Sequence, residues 1–262
     1  MRDLVRAAHI GPGLAVVVLA VLLAVACDLS PARILLVALA VLAGQLSVGW
    51  SNDLIDEARD RAVGRADKPL AGDGLARRTV RVACALSVVA VVPLSLACGW
   101  PAGVVHLGAV ASAWAYNLGL KSTAWSWAPY ALSFGGLVVF VSLAGSPAQW
   151  PPWWLPVVGA LLGVAAHLLN VLPDLADDER TGVRGLPHRL GARLIPRVAA
   201  TVLVAATALL TLGTGLRGPG SVVGPAVVCV LTLGVLLGSG RTPFVAAVLI
   251  AVTDVVLLVA AT

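Results

Sequence analysis

Asn52-Asp53-Leu54-Ile55-Asp56-Glu57-Ala58-Arg59-Asp60 closes one apolar stretch of this chain, and Asn170-Val171-Leu172-Pro173-Asp174-Leu175-Ala176-Asp177-Asp178 closes another. Both read Asn, three residues, Asp, three residues, Asp. On a helix, a step of four residues turns the side chain only about 40° and rises about 6 Å. The spacing predicts that Asn52, Asp56 and Asp60 stack along one face, and that Asn170, Asp174 and Asp178 do the same. Like charges at this spacing repel, and neither stack has a cation placed among its carboxylates. Paired oxygen-rich faces of this kind suit a hard cation such as Mg²⁺, held together with a phosphorylated substrate. Asp53 is a further candidate ligand, and Asp177 is an alternative to Asp178.

The rest of the chain is almost wholly apolar. Hydrophobic residues make up 59% of 262 and charged residues only 12%, with mean hydropathy +0.96. Soluble domains carry about 25% charged residues, so an all-α, polytopic integral membrane protein is expected, read as one membrane-embedded domain over residues 1–262. The apolar spans run roughly over 10–28, 34–53, 79–99, 102–119, 128–146, 154–175, 195–215, 221–238 and 243–261, which predicts nine transmembrane helices.

Charge sets the expected orientation. With the N-terminus inside, all but Arg33 and Arg217 of the 18 Lys and Arg residues fall at cytoplasmic ends and loops, the bias that orients membrane chains. That bias, rather than nucleic-acid binding, accounts for a pI near 9.5. Both Asn/Asp stretches then face the cytoplasm, while Trp150, Trp153 and Trp154 form an outer interfacial belt. Of the 18 basic residues only Lys68 and Lys121 are lysine, and Ala and Val are abundant, as in high-GC bacteria, so the bacterial inner membrane is the expected location. Arg2 and Arg6 before an apolar run ending at Cys27 have the outline of a lipoprotein signal, but the next segment is another span, and an uncleaved first helix is preferred.

The two Asn/Asp skeletons lie 118 residues apart. This suggests two four-helix pseudo-repeats followed by a ninth helix. An even number of spans per repeat keeps both copies in the same orientation, whereas the inverted repeats of many transporters need an odd number. A cation-coupled transporter with two acidic gates is the reading from a different class.

Asn52-Asp53-x-x-Asp56-x-x-x-Asp60 resembles the first aspartate motif of the UbiA superfamily of intramembrane prenyltransferases, and Asp174-x-x-x-Asp178 resembles its second. Tyr116-Asn117-Leu118-Gly119-Leu120-Lys121 resembles the Tyr/Lys motif after the fourth helix, although the family form is YxxxK and Lys121 here follows Tyr116 by five residues. The resemblance covers nearly the whole chain. It implies a Mg²⁺-dependent transfer of a prenyl group from a prenyl diphosphate to an acceptor, with an aromatic or quinone precursor as the leading acceptor class. The nearest alternatives are a terpene cyclase of the same superfamily and transfer to a lipid or sugar-phosphate acceptor.

In that reading Asn52, Asp56 and Asp60 hold one ion, and Asp174 and Asp178 the other, with Asn170 above them. Lys121, Lys68, Arg65, Arg184 and Arg189 are candidate phosphate clamps, arginine being suited to bidentate contact. The isoprenoid tail lies among apolar helices that exclude water. His167, one turn before Asn170, is placed to bind or deprotonate the acceptor. A structural role is preferred for His106 and for Asp254, the latter through an interhelical hydrogen bond. Cys27, Cys84, Cys98 and Cys229 have no ligand-like spacing and read as small buried hydrophobes.

Overall fold

The computed structural model describes residues 2–64, 68–72 and 74–261. Its helices are α1 (Arg2–Ala7), α2 (Ile10–Ala26), α3 (Pro31–Ala62), α4 (Arg77–Ala97), α5 (Trp100–Leu118), α6 (Ala128–Leu143), α7 (Trp154–Val171), α8 (Leu175–Arg180), α9 (Leu186–Leu190), α10 (Ile195–Thr214), α11 (Gly220–Leu237) and α12 (Thr242–Ala261), with 3₁₀ turns at Leu120–Ser122 and Leu172–Asp174. No strand occurs among the described residues. Boundaries follow local chemistry. Prolines open α3, α5, α6 and α10, where a missing N–H costs nothing. Gly215, at φ 62°, ends α10 in the left-handed region that a side chain would disfavour.

Six segments are long and apolar enough to cross a membrane: Pro31–Ala62, Arg77–Ala97, Trp154–Arg180, Ile195–Thr214, Gly220–Leu237 and Thr242–Ala261. Ile10–Ala26 and Ala128–Leu143 are apolar but shorter. Large side chains such as Leu86, Val89, Leu212 and Leu237 point outward, the pattern of a bundle whose solvent is lipid.

Neighbours in sequence pack side by side, and α12 returns to lie against α2 and α7, closing the bundle. Leu19 and Leu23 of α2, Val37 and Val41 of α3, Phe140 and Val141 of α6, Leu210 of α10 and Val255 of α12 share one apolar core. Polar residues inside the bundle find partners. Arg33 Nη1 donates to Ala144 O at 2.7 Å and to Cys98 O at 3.4 Å. One cation therefore caps the C-terminal ends of both α4 and α6, where unpaired carbonyls carry partial negative charge. His106 stacks on Phe140 with ring centroids 4.5 Å apart and bonds Ser95 at 2.7 Å. Asp254 Oδ1 lies 2.8 Å from Thr207 Oγ1, joining α12 to α10.

The shape of α3 positions the candidate site. It runs unbroken for 32 residues, carrying the first Asn/Asp stretch beyond the apolar layer. The N-terminal segment is pinned beside it: Trp50 Nε1 donates to Leu4 O at 2.9 Å. A Cβ on Gly49 would come within 2.1 Å of Ala8 O, so only glycine allows this approach.

One expectation is corrected here. Asn170, Asp174 and Asp178 do not lie on one continuous α-helix, because α7 ends at Val171, a 3₁₀ turn covers Leu172–Asp174, and α8 begins at Leu175. Pro173 supplies the reason: it has no N–H to donate and its ring crowds the preceding turn. The second stretch is thus interrupted by a 3₁₀ turn where the first is one continuous α-helix.

Candidate active site

On α3 the acidic face is buried, Asp53, Asp56 and Asp60 being 1%, 4% and 5% exposed. It is not a bare stack of like charges. Lys121 Nζ lies 2.5 Å from Asp56 Oδ1 and 2.6 Å from Oδ2, and Arg59 Nη2 donates to Oδ2 at 2.8 Å. Lys68 Nζ sits 2.6 Å from Asp53 Oδ1 and 3.9 Å from Asp60 Oδ2. His9 Nε2 is 2.8 Å from Asp53 Oδ1, and Asp53 Oδ2 has no hydrogen-bond partner among the described residues. The expected absence of cations among these carboxylates is therefore corrected: Arg59 comes from α3 itself, Lys68 from the loop after α3 and Lys121 from the turn after α5. Burying so many carboxylates demands such pairing. Burial pushes the Lys121 ammonium below the ordinary lysine range, and Asp56 works against that shift.

A relay of amides orders the upper part of this face. Asn52 Nδ2 donates to Asp56 Oδ2 at 3.0 Å and lies 3.4 Å from Asn117 Oδ1. Asn117 Nδ2 in turn donates to Val48 O at 2.9 Å and to Ser51 Oγ at 2.8 Å.

The second stretch faces the first. Asp178 is in electrostatic contact with Arg59, Asp174, Lys121 and Asp56. The carboxylates of the bent helix and the ion pair on α3 therefore share one field. Asp177 instead pairs with Arg180 at 2.8 Å and leaves 38% of its side chain exposed, against 18% for Asp178, so Asp178 is the inner of the two. Asp174 is half-buried, and Asn170 is exposed.

Deeper in the bundle, Tyr116, Tyr130 and His167 form a ring cluster. His167 lies 5.7 Å from Tyr116 and 4.8 Å from Tyr130, and the two tyrosines meet edge to face at 5.3 Å. His167 Nε2 is 3.0 Å from Ser126 Oγ, while its Nδ1 has no partner among the described residues. Ser126 Oγ also accepts from Leu186 N at 2.9 Å. A Cβ on Gly185 would come within 2.5 Å of Lys121 O and 2.8 Å of Ser126 Oγ. This glycine lets the loop after the second stretch close onto the turn that carries Lys121.

Of the candidate phosphate clamps, Lys121 and Lys68 reach the carboxylates. Arg184 and Arg189 are exposed, and among the described residues neither forms an ion pair. Arg65 lies outside the described residues. Several residues join the site that the spacing did not single out. Arg59 and Asn117 sit inside or beside quoted stretches, whereas His9 and Ser126 come from distant elements and carry no local signal. His188 is another: its side chain is 7% exposed, with Nε2 3.8 Å from Asp178 Oδ2. Burial pushes its imidazole below the ordinary range, and Glu179 opposes this.

The donors on both stretches are oxygens, matched in hardness to Mg²⁺. Among the described residues no three His, Cys, Asp or Glu side chains already converge on one point. The ammonium of Lys121 and the guanidinium of Arg59 occupy the positive positions beside Asp56. The donor chemistry and the excess of carboxylate fit a hard divalent cation, provided Lys121 exchanges Asp56 for another anion.

The model of the UbiA prenyltransferase family matches residues 13–260. The bacteriochlorophyll synthase 33 kDa chain of Cereibacter sphaeroides is 35% identical over 185 residues, covering 65% of this chain and 59% of that one. The chloroplastic 2-acyl-4-prenylphloroglucinol 6-prenyltransferase of Humulus lupulus is 26% identical over 170 residues, covering 59% of this chain and 41% of that one. Thus the chain spans well under two thirds of these relatives' lengths. Among solved structures, the apo UbiA homolog of Aeropyrum pernix K1 superposes with TM-score 0.78 at 17% identity over 95% of this chain and 97% of that one. The UbiA homolog of Archaeoglobus fulgidus bound to GPP and Mg²⁺ gives TM-score 0.70 at 15% identity over 98% and 99%. At these identities the likeness is one of fold.

Proposed function

Since the chain belongs to the UbiA prenyltransferase family, we propose that it moves a prenyl group from a prenyl diphosphate to an aromatic or quinone-type acceptor, with Mg²⁺, at the cleft between the two aspartate stretches. The observation that carries this reading is the electrostatic influence of Asp56 and Lys121 on Asp178, which supports assigning the two stretches to one site. The neighbour bound to GPP and Mg²⁺ is consistent with it. In this reading nine helices, α2–α7 and α10–α12, span a bacterial inner membrane in two related sets of four and a ninth. The N-terminus and the site are then cytoplasmic.

Asn52, Asp56 and Asp60 would hold one cation, with Asp53 beside them. Asp174 and Asp178 would hold a second, with Asn170 and Asp177 at its margin. A divalent ion, when bound, supplies charge stabilisation to a departing diphosphate. The chain's own groups do the rest. Lys121 and Lys68 give up Asp56 and Asp53 to donate to phosphate oxygens, Arg59 balances the carboxylate left behind, and Arg184 and Arg189 border the entrance; Arg65, outside the described residues, is a further candidate clamp by sequence alone. The tail lies among the apolar faces of the bundle, away from water. The C–O bond to diphosphate breaks, a bond to the acceptor forms, and the acceptor loses a proton. His167 Nδ1, buried and without a partner among the described residues, is the atom offered to that proton, with Tyr116 and Tyr130 walling the pocket.

Purified protein with Mg²⁺ and geranyl diphosphate alone is expected to give little product. With an effective acceptor from an aromatic and quinone-precursor panel, mass spectrometry should find a prenylated product and an equal amount of released diphosphate. His167→Ala should lower acceptor use more than donor binding. Efficient conversion of the donor alone to a cyclic hydrocarbon would replace the transferase reading with the cyclase, and a prenylated lipid phosphate would move the acceptor class.

A further inference from the structure

The amide relay above Asp56 assigns a task to a residue outside the ligand set. Asn117 is 3% exposed and Ser51 2%, so the hydrogen bonds between them cannot be replaced by water. Both protons of Asn117 Nδ2 are taken, by Val48 O at 2.9 Å and by Ser51 Oγ at 2.8 Å. Ser51 Oγ spends its own proton on Val48 O at 2.8 Å, so towards Asn117 it is an acceptor. Turning the Asn117 amide over would set its carbonyl oxygen against the oxygen of Val48, and the orientation is therefore determined. Its Oδ1 is left facing Asn52 Nδ2 at 3.4 Å.

The same reasoning passes to Asn52. Its amide nitrogen points to Asn117 Oδ1 and to Asp56 Oδ2 at 3.0 Å. Its Oδ1 must then turn the other way, towards the Lys68 ammonium 3.4 Å distant. Lys68 is the counter-ion of Asp53 there, and a divalent cation would take that place once Lys68 moves to phosphate.

We propose that Asn117 is a positioning residue: anchored by Val48 and Ser51, it fixes the amide of Asn52 so that Asn52 Oδ1, rather than Nδ2, is presented to the cation. The proposal rests on the reading of Asn52 as a cation ligand, and it acts through Asn52 alone. Without Asn117 the Asn52 amide is held only by Asp56 and Lys68, the groups that a cation and a phosphate would draw away, so its orientation is no longer fixed when they move.

The test is Mn²⁺ binding to the full chain in lipid nanodiscs, read by the electron paramagnetic resonance of free Mn²⁺, at a fixed concentration of inorganic phosphate as the anion that draws Lys121 and Lys68 off their carboxylates. Asn117→Ala should weaken Mn²⁺ binding about tenfold or more, the usual cost of losing a group that orients a ligand. Asn52→Ala should weaken it at least as much, and the double variant should bind no worse than Asn52→Ala. Additive losses, or wild-type affinity in Asn117→Ala, would overturn the proposal. Wild-type affinity in Asn52→Ala would instead remove Asn52 from the ligand set, a failure of the underlying reading. Ser51→Ala gives a second view that leaves Asn117 in place. It should weaken Mn²⁺ binding in the same direction by less, and unchanged binding would overturn the relay.

Discussion

Asp56→Asn and Asp174→Asn are each expected to lower turnover at least about a hundredfold, the scale on which a group organising transition-state charge contributes. Asparagine keeps the shape and loses the charge, so the comparison isolates electrostatics. The two variants should differ in stability. Asp56 is buried against Lys121 and Arg59, and neutralising it leaves two cations short of a counter-charge, which is destabilising. Asp174 is half-buried at the bend between α7 and α8, and its variant should melt close to wild type. Steady-state turnover at saturating Mg²⁺, with a melting curve for each protein, checks both statements. Near-normal turnover in either variant would remove that carboxylate from the site.

The second large effect falls on Lys121. The side chain is 9% exposed and its ammonium rests on both oxygens of Asp56. In the absence of substrate it neutralises the carboxylate; with substrate bound it is the donor best placed to move onto the diphosphate. Hydrogen bonds to charged groups contribute about 1.5–3 kcal/mol, which is roughly a ten- to hundredfold change in affinity. Lys121→Ala should weaken geranyl diphosphate binding by that factor, measured by titration in the presence of Mg²⁺. Unchanged affinity would confine Lys121 to pairing Asp56.

Much of the site was legible from spacing, and the limits of that legibility have physical causes. Asn52, Asp56 and Asp60 share α3 because nothing in 31–62 breaks a helix once Pro31 has started it. The second copy has the same spacing and a proline within it, and Pro173 converts a predicted stack into a turn and a short helix. Spacing along one helix says nothing about what packs against it. Lys68 and Lys121 reach the carboxylates from separate elements, so the repulsion read from α3 alone is relieved in the fold. Asp254 did pair between helices, with Thr207, as a lone carboxyl in a membrane must. Ser126 and Gly185 had no signal at all: their roles come from two loops closing on each other, a contact without periodicity. Asn117 lay in a quoted stretch but its role depends on Val48 and Ser51, one turn apart on a different helix.

In the proposed enzyme two aspartate stretches, far apart in sequence, form one prenyl diphosphate site. The most direct measurement is equilibrium binding of geranyl diphosphate to the wild-type chain, Asp56→Asn and Asp174→Asn, each with Mg²⁺ and with the ion chelated. The account predicts binding by the wild type that needs Mg²⁺ and is lost in both variants, because each removes one side of a shared site. Wild-type affinity in either variant, or binding indifferent to Mg²⁺, would contradict it.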